Sequence, residues 1–250
     1  MIAGEVVRWS WRMVCEAGAI GPRSPSAKSF GSFGEGSIVC FPFGAHVNRH
    51  AIHLGAGTVV TPGVTLSAGW MPDQPGLAPR VLSIGDRCLI GRGSSIVAHL
   101  SIEIGDDVWT GPHVYITDMN HGYNDPQVPI SRQHQPEAPV SIGDGSWLGH
   151  GAVVLPGARI GRHVVVGANS VVVGELPDHS VAVGAPARVV KRLDPDLGCW
   201  VPVGDPTCSA PERSERSGHA ERVARDRWGV GGATARAASH AGWAGQEGLR

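Results

Sequence analysis

One short segment of this 250-residue chain gathers side chains that could move a proton. The stretch TDMNHGYNDP sets His121 among Asp118, Asn120 and Asp125. An imidazole titrates near neutrality, so it can take the proton from a hydroxyl that would otherwise be a poor nucleophile. The three polar neighbours could orient that ring or hold the molecule whose hydroxyl reacts. Each is also an ordinary turn residue, and a lone loop histidine is ordinarily a plain surface group. Glu137 is a further candidate for orienting His121. A second cluster, Arg188, Lys191 and Arg192 in ARVVKRL, offers donors suited to phosphate; a solvated basic face is the alternative. His113 and His150 could line the first site. His46, His50 and His53 read as a surface or interface group.

The elements that must position these residues announce themselves by a period of six. From residue 141 the sequence runs SIGDGS WLGHGA VVLPGA RIGRHV VVGANS VVVGEL. Ile142, Leu148, Val154, Ile160, Val166 and Val172 carry the phase, often followed by Gly, with small or β-branched residues such as Ser146, Ala152 and Ser170 four places on. Leu54, Val60, Leu66, Ile84, Ile90, Ile96, Ile104 and Ile116 extend it upstream, and Phe33 and Val39 open it less cleanly. An alternating strand has period two and keeps no phase of six. The expectation is an all-β solenoid, a triangular parallel β-helix in which three hexads make one turn and each turn hydrogen-bonds to the next.

The phase is interrupted where function usually sits. Between Ile96 and Ile104 the step is eight residues, so a corner holds two extra. The segment GWMPDQPGLAPR bulges within one turn, and between Ile116 and Ile142 some 20 residues are extruded, with His121 near their start. The expected organisation is an N-terminal helical or irregular segment over 1–30, the β-helix over 31–195 with its loop at 118–140, and a disordered tail over 205–250. ARVVKRL reads as a short helix or final strand that closes the prism.

A formal charge of −1 offers no basic field for nucleic acid. Five scattered cysteines without a CxxC pair support neither a zinc ribbon nor a disulfide framework, and point to a reducing cytoplasm. No segment has the length of a membrane span. The opening MIAGEVVRWSWRMVCEAG reads as an amphipathic helix packed on the domain, with a membrane-surface helix as the alternative.

From IGDDVWTGPHVYITDMNHGYNDP through IGDGSWLGHG to VGAPARVVKRL, the chain resembles the maltose/galactoside O-acetyltransferase branch of the hexapeptide acyltransferases. The likeness covers roughly residues 80–193 well and 33–70 loosely. It implies left-handed winding, a homotrimer with active sites between subunits, and acetyl-CoA or another acyl-CoA as co-substrate with no metal. His121 takes the place of the family's general base, which implies direct acyl transfer from the thioester to a hydroxyl of a sugar or glycan-like acceptor. Trp147 matches the family's Trp and would line the thioester or acceptor site, or pack at a subunit contact. Gly149, Ala168 and Gly184 correspond to corners where backbone meets the cofactor, with Arg188 and Lys191 placed for its phosphates. Where that branch carries an acceptor-binding Asn, this chain has Gly93 and Ser94. With the inserted GWMPDQPGLAPR, that implies a larger or more apolar acceptor. Two other readings stand beside it. One is a non-catalytic β-helix scaffold. The other is a zinc enzyme like the γ-class carbonic anhydrases, whose HxxxxH pair is absent. A sugar-nucleotide transferase would need an α/β nucleotide domain, and the sequence has none.

Overall fold

The computed structural model describes residues 2–204; the expectation of a disordered tail over 205–250 lies outside them. Short parallel strands wind into a three-walled prism. The first wall stacks seven strands from Ser32–Phe33 to Glu175–Leu176. The second runs from Ile38–Val39 to Ser180–Val183, and the third from His46–Val47 to Val171–Val172. Each turn visits the walls in that order and pairs in register with the next, as Leu148 does with Thr110 and Val166. The fold is the parallel β-helix of hexapeptide repeats expected from the period, with the left-handed winding that the resemblance implied.

The hexad aliphatics are the core. Leu54, Ile84, Ile104, Ile142 and Ile160 line the first wall at no more than 3% exposure, and Val60, Ile90, Leu148 and Val166 are fully buried behind the second. Each contributes about 1.5–3 kcal/mol by leaving water. The small inward positions do more than save space. Ser37, Thr58, Ser94, Ser146 and Ser170 are buried, and each hydroxyl accepts a backbone N–H from the next turn, such as that of Val164 on Ser146 at 3.1 Å. Otherwise orphaned amides in an apolar tube are thereby paired.

The Gly-Asp pairs of the repeat have a related cause. The amides of Ala56, Asp86, Asp106 and Arg162 donate to the Oδ1 atoms of Asp86, Asp106, Asp144 and Asp178, at 2.7–2.9 Å. A Cβ at Gly85 or Gly105 would collide with the aspartate of the following turn. Glycine is needed there because the next carboxylate fills its side-chain space.

The C-terminal end takes the second of its two expected forms, and the N-terminal end departs from expectation. The segment Arg188–Asp194 is a strand; it runs antiparallel to Ser180–Val183 and is followed by Cys199–Pro202, so a three-strand meander finishes the second wall. Helix Ile2–Gly18 forms, but Val6, Val7, Trp9, Trp11, Met13 and Val14 are 41–67% exposed, so it does not pack on the domain as expected. Among the described residues no helix is long and apolar enough to cross a membrane. Cys15, Cys40 and Cys88 are free thiols, and Cys199 is disulfide-bonded.

Candidate active site

The insertions all leave the prism at one edge, where the third wall turns into the first. Residues 69–81 follow Ala68, residues 99–101 follow Ala98, and residues 118–139 follow Thr117. The pairings Ala68 with Ala98 and Val97 with Thr117 put these exits in line along the axis. The longest insertion is an arm with a stem. Met119 bridges Glu137, and the Asn120 and Ala138 amides donate to Pro136 O and Asp118 O at 3.0 and 2.8 Å.

His121 stands exposed just beyond that stem. Its backbone N–H is taken by Asn120 Oδ1 at 2.9 Å, and its Nδ1 lies 3.2 Å from Gln135 Nε2. Glu137 joins the stem through its backbone, and Gln135 is the side chain that meets the ring. Gly122 is buried against His134 O, where a Cβ would collide, so the chain turns tightly behind the imidazole.

Three expected substrate contacts receive other work. Asp118 is wholly buried, and its two carboxylate oxygens accept the amides of His99, Leu100 and Ser101 at 2.8, 2.8 and 2.7 Å. It is the clasp between the arm and the neighbouring corner, because the two extra residues there leave three amides without ladder partners. Asn120 turns its side chain back onto the His121 amide. Asp125 caps Gln127 N at 2.8 Å, and Gln133 bonds its backbone, so it shapes the arm's outer turn.

The expected cofactor residues gather at a different edge, between the second and third walls. Gly149, Ala168 and Gly184 occupy that corner on successive turns. Gly149 is buried: its amide donates to Val166 O at 2.7 Å, and a Cβ would meet Ala168 N at 2.6 Å. That corrects its expected contact with a cofactor, since it serves the stacking of turns. Ala168 and Gly184 are exposed. Arg188 pairs with Val183 beside Gly184 and is exposed, whereas Lys191 lies further along the strand beside Val181. His113 and His150 meet edge to face at 5.6 Å on this same edge, away from the arm.

Trp147 is half exposed on the outer face of the second wall, flanked by Trp109 and Val165. In a three-walled prism that wall lies opposite the edge that bears the arm. Within one chain, therefore, Trp147 and His121 are not brought together.

One group escaped the sequence reading. His99, which ends IVAHL, packs its ring 4.0 Å from the Trp70 indole, and neither ring nitrogen has a hydrogen-bond partner. Burial lowers its pKa, opposed by the nearby Asp118 and Glu137 carboxylates. The eight-residue step after Ile96 was the available signal. Among the described residues no group of three or more His, Cys, Asp or Glu is arranged to hold a metal ion.

Comparison with known proteins places this geometry. The model for bacterial transferase hexapeptide (six repeats) matches residues 139–174, and that for the hexapeptide repeat of succinyl-transferase matches residues 81–117. The probable acetyltransferase Rv3034c of Mycobacterium tuberculosis is 46% identical over 111 residues, covering 44% of this chain and 37% of that protein. The galactoside O-acetyltransferase of Lactococcus lactis is 30% identical over 169 residues, covering 67% of this chain and 65% of that protein. The chain thus spans less than two thirds of the length of these relatives. The crystal structure of AntD, an N-acyltransferase from Bacillus cereus in complex with dTDP and 3-hydroxybutyryl-CoA, superposes with a TM-score of 0.57 at 20% identity, covering 69% of this chain and 88% of AntD. That likeness concerns the fold. With repeat models matched on both sides of the arm and a galactoside acetyltransferase aligned across it, this chain carries the transferase hexapeptide repeat and is related to members of the galactoside O-acetyltransferase branch.

Proposed function

We propose that this protein transfers an acyl group, typically acetyl, from coenzyme A to a hydroxyl of a sugar or glycan-like acceptor, with His121 as general base. The observation that carries the proposal is an exposed histidine, held at its ring and its backbone, on the arm that breaks an otherwise regular repeat. The likeness to acyltransferases of this repeat supports the reaction class.

The edge between the second and third walls suits the co-substrate. Ala168 and Gly184 present minimal side chains in line, and the exposed Arg188 stands at their end to meet phosphate. When bound, acyl-CoA supplies an activated thioester. His121 then acts through Nε2. An amide's two ends have the same shape. With Gln135 Oε1 turned to the ring, Nδ1–H donates and Nε2 keeps the lone pair that takes the acceptor's proton. Attack is direct, and no side chain is acylated.

The wall surfaces favour a homotrimer with shared sites. The first wall turns Ser83, Glu103, Ser141, Arg159 and Glu175 outward. The second turns out Leu89, Trp109, Trp147 and Val165 in one register. Packing that apolar stripe on the third wall of another copy closes a three-membered ring, and sets Trp147 of one copy towards the arm of the next.

The test is thiol release from acetyl-CoA over a panel of sugar, aminosugar and glycoside acceptors. His121→Ala should lower turnover about 10²–10⁴-fold with CoA affinity retained. Co-expressed His121→Ala and Trp147→Ala chains should recover part of the activity that each lacks. Undiminished turnover in His121→Ala removes the base, and absence of recovery removes the shared site.

A further inference from the structure

Helix Ile2–Gly18 stands out from the prism with two unlike sides. Its residues advance at about 3.6 per turn, which sorts them into two arcs. Met13, Val6, Val14 and Val7 lie on an apolar arc of about 200°, with Trp9 at one border and Trp11 at the other. Ser10 is the polar residue within it. Arg8, Arg12, Glu5 and Glu16 share the opposite side, within about 80°.

The helix is joined to the prism by its last turn. Ile20 exchanges backbone hydrogen bonds with Val39 at 2.9 Å in both directions, and a Cβ on Gly18 would meet the Phe41 ring at 2.7 Å. Cys15 and Gly18 are half-buried, and every other residue from Ala3 to Ala17 is exposed. Both half-buried residues flank Trp11 on the helix circumference, so the middle of the apolar arc faces away from the prism. The fold leaves that arc to something else.

Three observations point to lipid. A coiled-coil seam is a narrow stripe, whereas this arc exceeds half the circumference, more than one partner helix covers. Indoles at both borders are placed where a ring can bury its body and keep its N–H wet, as at a membrane interface. The two Arg and two Glu opposite balance in charge, with Arg12 Nε 3.9 Å from Glu16 Oε1, so contact would rest on apolar burial and not on headgroup charge. The helix is not long and apolar enough to cross a bilayer, and with 17 residues it would lie along the surface for about 25 Å.

We propose that Ile2–Gly18 is a membrane-surface helix. It lies in the headgroup region with its apolar arc against the acyl chains, and holds the prism to the bilayer by its first turn. The proposal does not depend on the acyl-transfer reading.

The experiment sediments the full chain with phosphatidylcholine vesicles at low and high salt. The chain should bind, with a partition coefficient that changes less than about twofold between the two. In Val6→Glu/Met13→Glu that coefficient should fall at least about tenfold. Oligomeric mass and the denaturation midpoint should stay those of the parent, since both side chains are exposed. Vesicles of brominated phosphatidylcholine should quench the tryptophan fluorescence of the parent. Trp9→Phe/Trp11→Phe should still bind and lose most of that quenching. No binding by the parent, or binding retained in Val6→Glu/Met13→Glu, overturns the proposal. Binding that needs anionic lipid and vanishes in high salt overturns it, because a charged surface would then be responsible. Quenching that persists in Trp9→Phe/Trp11→Phe places the contact elsewhere on the protein. A lowered oligomeric mass in Val6→Glu/Met13→Glu makes the arc a contact between copies and overturns it too.

Discussion

At the scale of the residue, the chemistry turns on how His121 is held. Its ring meets the Gln135 amide at 3.2 Å, and its main chain is fastened by Asn120. A base that must present one particular nitrogen needs such a partner to choose its tautomer. Gln135→Ala should therefore lower kcat about tenfold with the KM for acetyl-CoA unchanged. Gln135→Glu should move the acid limb of the pH–rate profile upward, because a carboxylate beside the imidazole favours its protonated form. Identical pH profiles in the two variants and the parent would show that Gln135 has no part in orienting the ring. The sequence singled out His121 by its place in an interruption. For the orienting role it offered Asp118, Asn120 and Asp125, with Glu137 as a further candidate, and missed Gln135, because which stem residue faces the ring depends on how the arm pairs with itself.

At the scale of the element, the arm is held by a buried clasp. Asp118 binds three consecutive amides of the 99–101 corner, so two segments 17–19 residues apart in sequence behave as one piece. Asp118→Ala would leave those amides unpaired beneath the stem, and should cost about 3 kcal/mol. Asp118→Asn keeps one acceptor oxygen and should cost about half as much. Chemical denaturation of the two variants checks the order. Equal stability of Asp118→Ala and the parent would reassign the residue to the acceptor, as its position in the motif suggested. Nothing in TDMNHGYNDP told a clasp from a ligand. The distinction lies in the corner after Ala98, 20 residues earlier, which sits beneath Asp118 only once the turns are stacked.

At the scale of the whole molecule, stability is a sum over stacked turns, and the N-terminal turn holds a pH-sensitive weak point. His46 lies among Phe30 and Phe43, where burial, together with the charge of Arg49, holds its pKa down to about 4 from 6.5. Between those values the unfolded chain binds a proton that the folded chain refuses, so stability falls as pH drops from about 6.5 to about 4 and levels off below. His46→Leu should remove that contribution. The difference in denaturation midpoint between pH 7 and pH 4.5 should be smaller in the variant than in the parent, and an unchanged difference would place the acid sensitivity elsewhere.

The hexad period determined the prism by itself, because every inward aliphatic must return after one wall and any other winding exposes it. The same period located the interruptions, and so His121. It could not reveal that Asp118 is structural, that Gly149 is buried under Ala168, or that Trp147 faces away from the arm. These follow from which turn lies above which and which wall a residue faces, relations set by stacking rather than by local pattern. Nor could it show that the 69–81 insertion, the 99–101 corner and the arm share one edge. That convergence, with His99 left unsatisfied beneath Trp70, exists only in the folded chain, because it joins residues from three turns that lie far apart in sequence.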